Sequence, residues 1–166
     1  FIQSQSELTL PDYMSDIVTN GIEYGGIKNN IPLAVRESKM NEILAFVDDD
    51  AAILSNYTLV DKNQEYELNN QLVKFEENIY VLNDDYDDGL NEILMKPIIY
   101  AKYAKEANVD FEALESSDYR KIVIDELDQK LIGFKDNLAS VAIVLVKDEY
   151  QAIGLDTTVI QTNYIL

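Results

Sequence analysis

The chain contains no cysteine and no histidine. Without Cys there is no disulfide framework, no thiolate zinc or iron–sulfur site and no thiol nucleophile. Without His the chain lacks the commonest general base, the commonest transition-metal ligand and the side chain that titrates near neutrality. Triads built on His are therefore excluded within this chain, and neither phosphate-cradling glycine pattern is present. Long apolar runs are missing as well: the stretch at 139–146 falls far short of the ~20 residues that cross a bilayer, so a soluble chain that does not span a membrane is expected. Basic residues are scarce, 13 Lys and Arg against 31 Asp and Glu for a net charge of −18. Such a field repels phosphate backbones and anionic lipid, so direct nucleic-acid or membrane binding is not expected.

What is present is enough for a core. The 166 residues are 47% hydrophobic and include 11 Tyr and 5 Phe, unlike the aromatic-poor composition of highly charged disordered chains. One folded acidic domain over 1–166 is the expectation. The start, Phe1-Ile2-Gln3-Ser4, shows neither an initiator Met nor a basic-then-apolar leader pattern, which reads as a processed end or an artificial boundary.

Thr9, Leu10 and Pro11 open a short helix ending near Asn20-Gly21, since Pro costs nothing in a first turn. After the Gly25-Gly26 and Asn29-Asn30 connection, Leu33, Met40, Ile43, Leu44 and Val47 recur at helical spacing up to Asp48. From 51 to 82 the pattern becomes β, with polar breaks of hairpin length at 61–64, 69–70 and 76–78; an antiparallel meander is predicted. Asp87 or Asp88 caps the next helix, in which Pro97 imposes a kink or a restart and which Asn108 closes. A helix over 111–136, capped near Ser116 or Ser117, carries Ile122, Val123, Leu127, Leu131 and Phe134, with Lys121–Asp125 and Glu126–Lys130 pairs on its outer face. The β-branched segment Val141, Ile143, Val144, Val146, followed by Val159, Ile160 and Ile165, predicts a C-terminal β-hairpin over about 140–165. The order implies an α+β fold, strands packed against several helices.

Charge is concentrated. Residues 48–92 hold 13 carboxylates against only Lys62 and Lys74. Asp48, Asp49 and Asp50 abut the meander, and Glu65 and Glu67, two apart on a strand, share a face. These five are the candidate partner-binding residues, a row able to imitate a phosphate backbone in a basic groove; the plainer reading is edge charge that discourages strand aggregation. The run Asn83-Asp84-Asp85-Tyr86-Asp87-Asp88-Gly89 offers Asp84, Asp87 and Asp88 as Ca²⁺ ligands. Its spacing departs from an EF-hand, however: with Gly89 at loop position six, Tyr86 stands at three and Met95 at twelve. A turn leading into a helix N-terminus explains the same residues. No other cofactor is implied. Carboxylate-pair chemistry is left without a selectable pair among 31 candidates, so catalysis is not expected.

Tyr57, Tyr66, Tyr80, Tyr100 and Tyr103 supply either an aromatic contact surface or a core whose hydroxyls reach polar partners. Asn56-Tyr57-Thr58 matches a glycosylation sequon, a pattern frequent by chance. The leading expectation is a non-catalytic protein–protein interaction domain, a structural or assembly subunit of a larger complex such as a viral particle or a secretion-type assembly, as a homo- or hetero-oligomer. The alternatives are an acidic inhibitor or nucleic-acid mimic that blocks a basic site on an enzyme or nuclease, and a small calcium-binding module.

Overall fold

The computed structural model describes residues 31–68 and 71–154. The helix expected over 9–20 lies outside them, as does the second half of the expected C-terminal hairpin. Helices and antiparallel sheets combine in an α+β fold, as the pattern predicts. In chain order they are β1 (Ala34–Arg36), α1 (Glu37–Leu44), α2 (Ala51–Leu54), β2 (Tyr57–Val60), β3 (Glu65–Leu68), β4 (Gln71–Lys74), β5 (Ile79–Leu82), α3 (Leu90–Glu106), α4 (Ser117–Leu131) and α5 (Leu138–Ala152). Single 3-10 segments at Glu112–Glu115 and Ile132–Asn137 flank α4.

The strands do not form a meander. In a meander each strand pairs with the next, but here β5 lies between β1 and β2 in a three-stranded antiparallel sheet, and β3–β4 form a sheet of their own. The β2–β5 ladder, Tyr57 opposite Leu82 through Val60 opposite Ile79, encloses the β3–β4 hairpin. The two connections are tied together: Asn63 N–H donates to the Phe75 carbonyl at 3.0 Å and Lys62 N–H to Asn78 Oδ1 at 2.9 Å. Asn63 sits at φ 67°, a left-handed conformation that Asn tolerates better than most residues. At the start of the region, residues 51–54 are a helical turn that buries Ile53.

The larger correction concerns α5. Its apolar run reads as a strand because it is short and β-branched, but propensity is weaker than burial pattern. Leu138, Val141, Ala142, Leu145, Val146, Glu149 and Tyr150 are buried, recurring at intervals of three and one along one helical face, and Ile143 is buried beside that stripe. That stripe packs on α3 and β1. The expected hairpin is thus a helix as far as residue 152.

α3 runs through Pro97 without a restart. The missing proline N–H leaves the Ile93 carbonyl without its usual partner, and Ile93 lies at the surface, 41% exposed, where water can serve it. Asn108 closes the helix as expected. It lies at φ 61°, its N–H bonds the Lys105 carbonyl at 3.1 Å and the Val109 N–H bonds the Ala104 carbonyl at 2.9 Å, a Schellman closure sealed by buried Val109 and Ala104. α4 is shorter than the predicted 111–136. Ser116 Oγ accepts from Tyr119 N–H at 3.4 Å at its start; Val123, Leu127 and Leu131 are buried, but Ile122 is exposed. One residue's rotation about the helix, about 100°, separates Ile122 from the Val123 face.

Candidate functional site

The structure divides the five candidate partner-binding residues between two places. Asp48, Asp49 and Asp50 are exposed in the connection from α1 to α2. The Asp49 carbonyl accepts from Ala52 N–H and the Asp50 carbonyl from Ile53 and Leu54 N–H, and Asp48 Oδ1 meets Arg120 Nη2 of α4 at 2.7 Å. This cluster therefore shapes a turn and spends one charge on a cation. Glu65 and Glu67 do share a face on β3, both exposed. Across the hairpin Glu65 faces Lys74 and Glu67 faces Leu72, so the outward face carries two carboxylates, one ammonium and a leucine left 69% exposed. The inward face, with Tyr66, Leu68 and Val73, packs on the core. Leu72 is the most exposed large apolar side chain among the described residues, with Ile132 next at 64%.

The acidic run before α3 forms a turn held by Asn56. Asp87 N–H donates to Asn56 Oδ1 at 2.9 Å, Asn83 N–H to the Asn56 carbonyl at 2.8 Å, and Asn56 Nδ2 to the Ala52 carbonyl at 3.0 Å. The sequon asparagine is thus a bracket between α2 and this turn. Gly89, not an aspartate, is the N-cap residue; Asp87 acts two positions earlier, its Oδ1 accepting the Gly89 N–H at 2.9 Å. Asp84, Asp87 and Asp88 are exposed. No three His, Cys, Asp or Glu side chains converge as metal ligands among the described residues.

The tyrosines turn inward. Tyr57, Tyr100 and Tyr103 are buried, and Tyr66 and Tyr80 are half-buried against the core. Tyr57 Oη donates to the Pro32 carbonyl at 2.8 Å. Tyr100 Oη donates to Asp128 Oδ1 at 2.6 Å, and burial together with that carboxylate pushes the phenol pKa well above the ordinary tyrosine value. Asp128 is itself exposed and serves as the acceptor for this buried hydroxyl. The helix-face pairs Lys121–Asp125 and Glu126–Lys130 do not close within ion-pair distance among the five described bridges; exposed pairs gain too little to hold two long side chains in place.

The polar centre that sequence reasoning missed joins β1 to α5. Glu149 is only 5% exposed. Its Oε2 accepts from Arg36 Nε at 2.8 Å and from the Arg36 backbone N–H at 2.9 Å, and its Oε1 from Arg36 Nη2 at 2.8 Å. The Leu33 carbonyl accepts from Leu82 N–H and Glu37 N–H donates to the Asn78 carbonyl just before β5, so by the antiparallel alternation the Arg36 N–H points away from β5. Glu149 therefore closes the outer edge of β1. One residue on, Tyr150 Oη accepts the Leu33 N–H at 2.8 Å. The Glu149 hydrogen bond, ahead of Coulomb attraction, raises the Arg36 pKa against the opposing effect of burial. A signal was available: once residues 138–152 are read as a helix, Glu149 falls on the buried stripe, where an acid requires a partner.

Among the described residues no helix is long and apolar enough to cross a membrane. Comparison of the chain with protein-family models, with curated proteins and with solved structures finds no match in any of the three.

Proposed function

We propose that this chain is a non-catalytic protein-interaction domain, an assembly subunit that docks through the outward face of the β3–β4 hairpin. The observation that carries the reading is Leu72, 69% exposed and ringed by Glu65, Glu67 and Lys74 on a hairpin whose strands pair, among the described residues, only with each other. An apolar centre with a charged rim is the layout of a specific contact, in which the centre supplies affinity and the rim supplies orientation.

A photo-crosslinker at position 72, with one at exposed position 122 as control, identifies the bound protein, and the purified pair is then titrated. Leu72→Ser is expected to weaken binding by about tenfold or more. Glu65→Gln with Glu67→Gln is expected to alter the salt dependence more than the affinity. Unchanged affinity in both variants, with normal folding, overturns the hairpin as the docking face. The acidic-inhibitor reading rests on the same two carboxylates; it is preferred instead if affinity collapses with ionic strength while Leu72→Ser is silent.

A further inference from the structure

After Leu72, Ile132 is the most exposed large apolar side chain among the described residues. It opens the 3-10 segment Ile132–Asn137, and with three residues to the turn Lys135 falls on the same face. On α3, Lys96 and Ile99 are neighbours by a similar three-residue spacing. Both pairs line one cleft of about 290 Å³, bounded by α3, the end of α4, the 3-10 segment and the start of α5, where Leu131 and Leu138 complete the apolar wall. Lys96 and Lys135 are exposed and belong to none of the five ion pairs among the described residues. The one carboxylate in the lining, Asp128, accepts the Tyr100 hydroxyl.

This cleft is the inverse of the outward hairpin face. On the hairpin an exposed leucine stands among Glu65, Glu67 and Lys74; in the cleft an exposed isoleucine stands among Lys96, Lys135 and Asp128. A cavity of about 150 Å³ already takes a benzene-sized apolar group, so the cleft has room for a leucine side chain. The two surfaces lie at opposite ends of α5. Lys74 of the hairpin shares a depression with Ala152, Leu138 lines the cleft, and the helix from Leu138 to Ala152 spans about 20 Å. A rigid helix holds them apart within one molecule, so the match is available between molecules.

We infer that the hairpin of one copy docks into this cleft of another, Leu72 against Ile132 and the apolar wall, with Glu65 and Glu67 toward Lys96 and Lys135. The inference rests on the hairpin as docking face and names its partner, a second copy of this chain. Because the two patches differ, the contact is head-to-tail: each added copy leaves one hairpin and one cleft free, and assembly continues into a ring or a filament. The net charge of −18 per copy opposes approach at long range. Salt screens that repulsion beyond about 8 Å at physiological ionic strength, while partly buried pairs in the contact are screened much less. Association should therefore be stronger at about 0.15 M salt than at about 0.01 M.

Sedimentation velocity of the purified intact chain tests it, with mass expected to rise with loading up to about 1 mM. Leu72→Ser and Ile132→Ser should each weaken association by about tenfold or more. An equimolar mixture of the two should form a dimer and stop there, since one variant keeps its cleft and the other its hairpin. Glu65→Lys with Glu67→Lys, and Lys96→Glu with Lys135→Glu, should each stay monomeric alone and regain growth when mixed. All six positions are exposed, so these losses report on surface and not on folding. A parent that stays monomeric at about 1 mM, a mixture of the two serine variants that stays monomeric, or an Ile132→Ser chain that still associates overturns the proposal. A crosslink from position 132 to the same chain does so as well. If the parent is monomeric but a different protein is crosslinked at position 72 and Leu72→Ser weakens that pair, the hairpin remains the docking face and only the second copy is ruled out.

Discussion

The two sheets are built from strands of nearly equal length, yet their environments differ. In the three-stranded sheet β5 is flanked on both sides, Ile79 and Val81 are buried, and the outer edge of β1 is closed by Glu149. In the β3–β4 sheet only the inward face packs, and the outward face keeps Glu65, Glu67, Leu72 and Lys74 in solvent. Strand propensity already leans toward the three-stranded sheet, whose β2 and β5 read YTLV and IYVL against EYEL and QLVK in β3 and β4. Cover widens the difference: α5 reaches β1 from more than a hundred positions away, whereas among the described residues β3 and β4 pair only with each other. Stability should therefore concentrate in the covered sheet and its helices, leaving the hairpin face free to vary.

The sharpest test of that contrast is Glu149→Ala, which leaves Arg36 facing a buried vacancy and opens the β1 edge. Losing one partner of a buried pair typically costs about 3–5 kcal/mol; Arg36 keeps a third of its side chain in solvent, so urea unfolding should show a loss at the lower end of that range, and a loss below about 1 kcal/mol would mean that α5 covers β1 without stabilising it. Leu127→Ala in α4 should cost about 2–5 kcal/mol by leaving a cavity, while Ile122→Ala one position earlier should cost well under 1 kcal/mol, as surface changes do. Comparable losses at the two positions would contradict the observed rotation of the helix.

Tyr100→Phe removes a bond to a charged acceptor and should cost about 1.5–3 kcal/mol at neutral pH. The pH dependence has a definite sign. The folded phenol holds its proton at a pH where the unfolded one releases it, so this contribution is intact below about pH 10 and declines as pH rises beyond it. Unfolding midpoints between pH 8 and about 11 should fall less steeply in Tyr100→Phe than in the parent; parallel curves would remove Tyr100 as the source. The smallest effect belongs to the hairpin face. Glu65→Gln, Glu67→Gln and Leu72→Ser should each stay within about 0.5 kcal/mol of the parent, and a larger loss in any of them would place that side chain in the folding core and weaken its role as a docking residue.

Local signals were legible wherever chemistry acts over a few residues. The Ser116 cap, the Asn108 closure and the buried spacing of Val123, Leu127 and Leu131 follow from hydrogen-bonding and periodicity rules that need no distant partner. The pairing of Glu65 with Glu67 on one face follows from the two-residue repeat of a strand. Composition likewise determined that this chain folds with a strong negative field and without thiol or imidazole chemistry. The rest depended on contacts across the chain. Residues 138–152 became a helix because a continuous buried stripe on α3 and β1 outweighs the modest strand preference of Val and Ile. β5 passed over β4 to pair with β2 because the hairpin closes upon itself first in sequence and leaves the outer ladder to the flanking strands. Asp48–Asp50 separated from Glu65 and Glu67, Asp128 became the acceptor of Tyr100, and Arg36 found Glu149, because Coulomb and hydrogen-bond partners are chosen by proximity in space, which sequence separation does not encode.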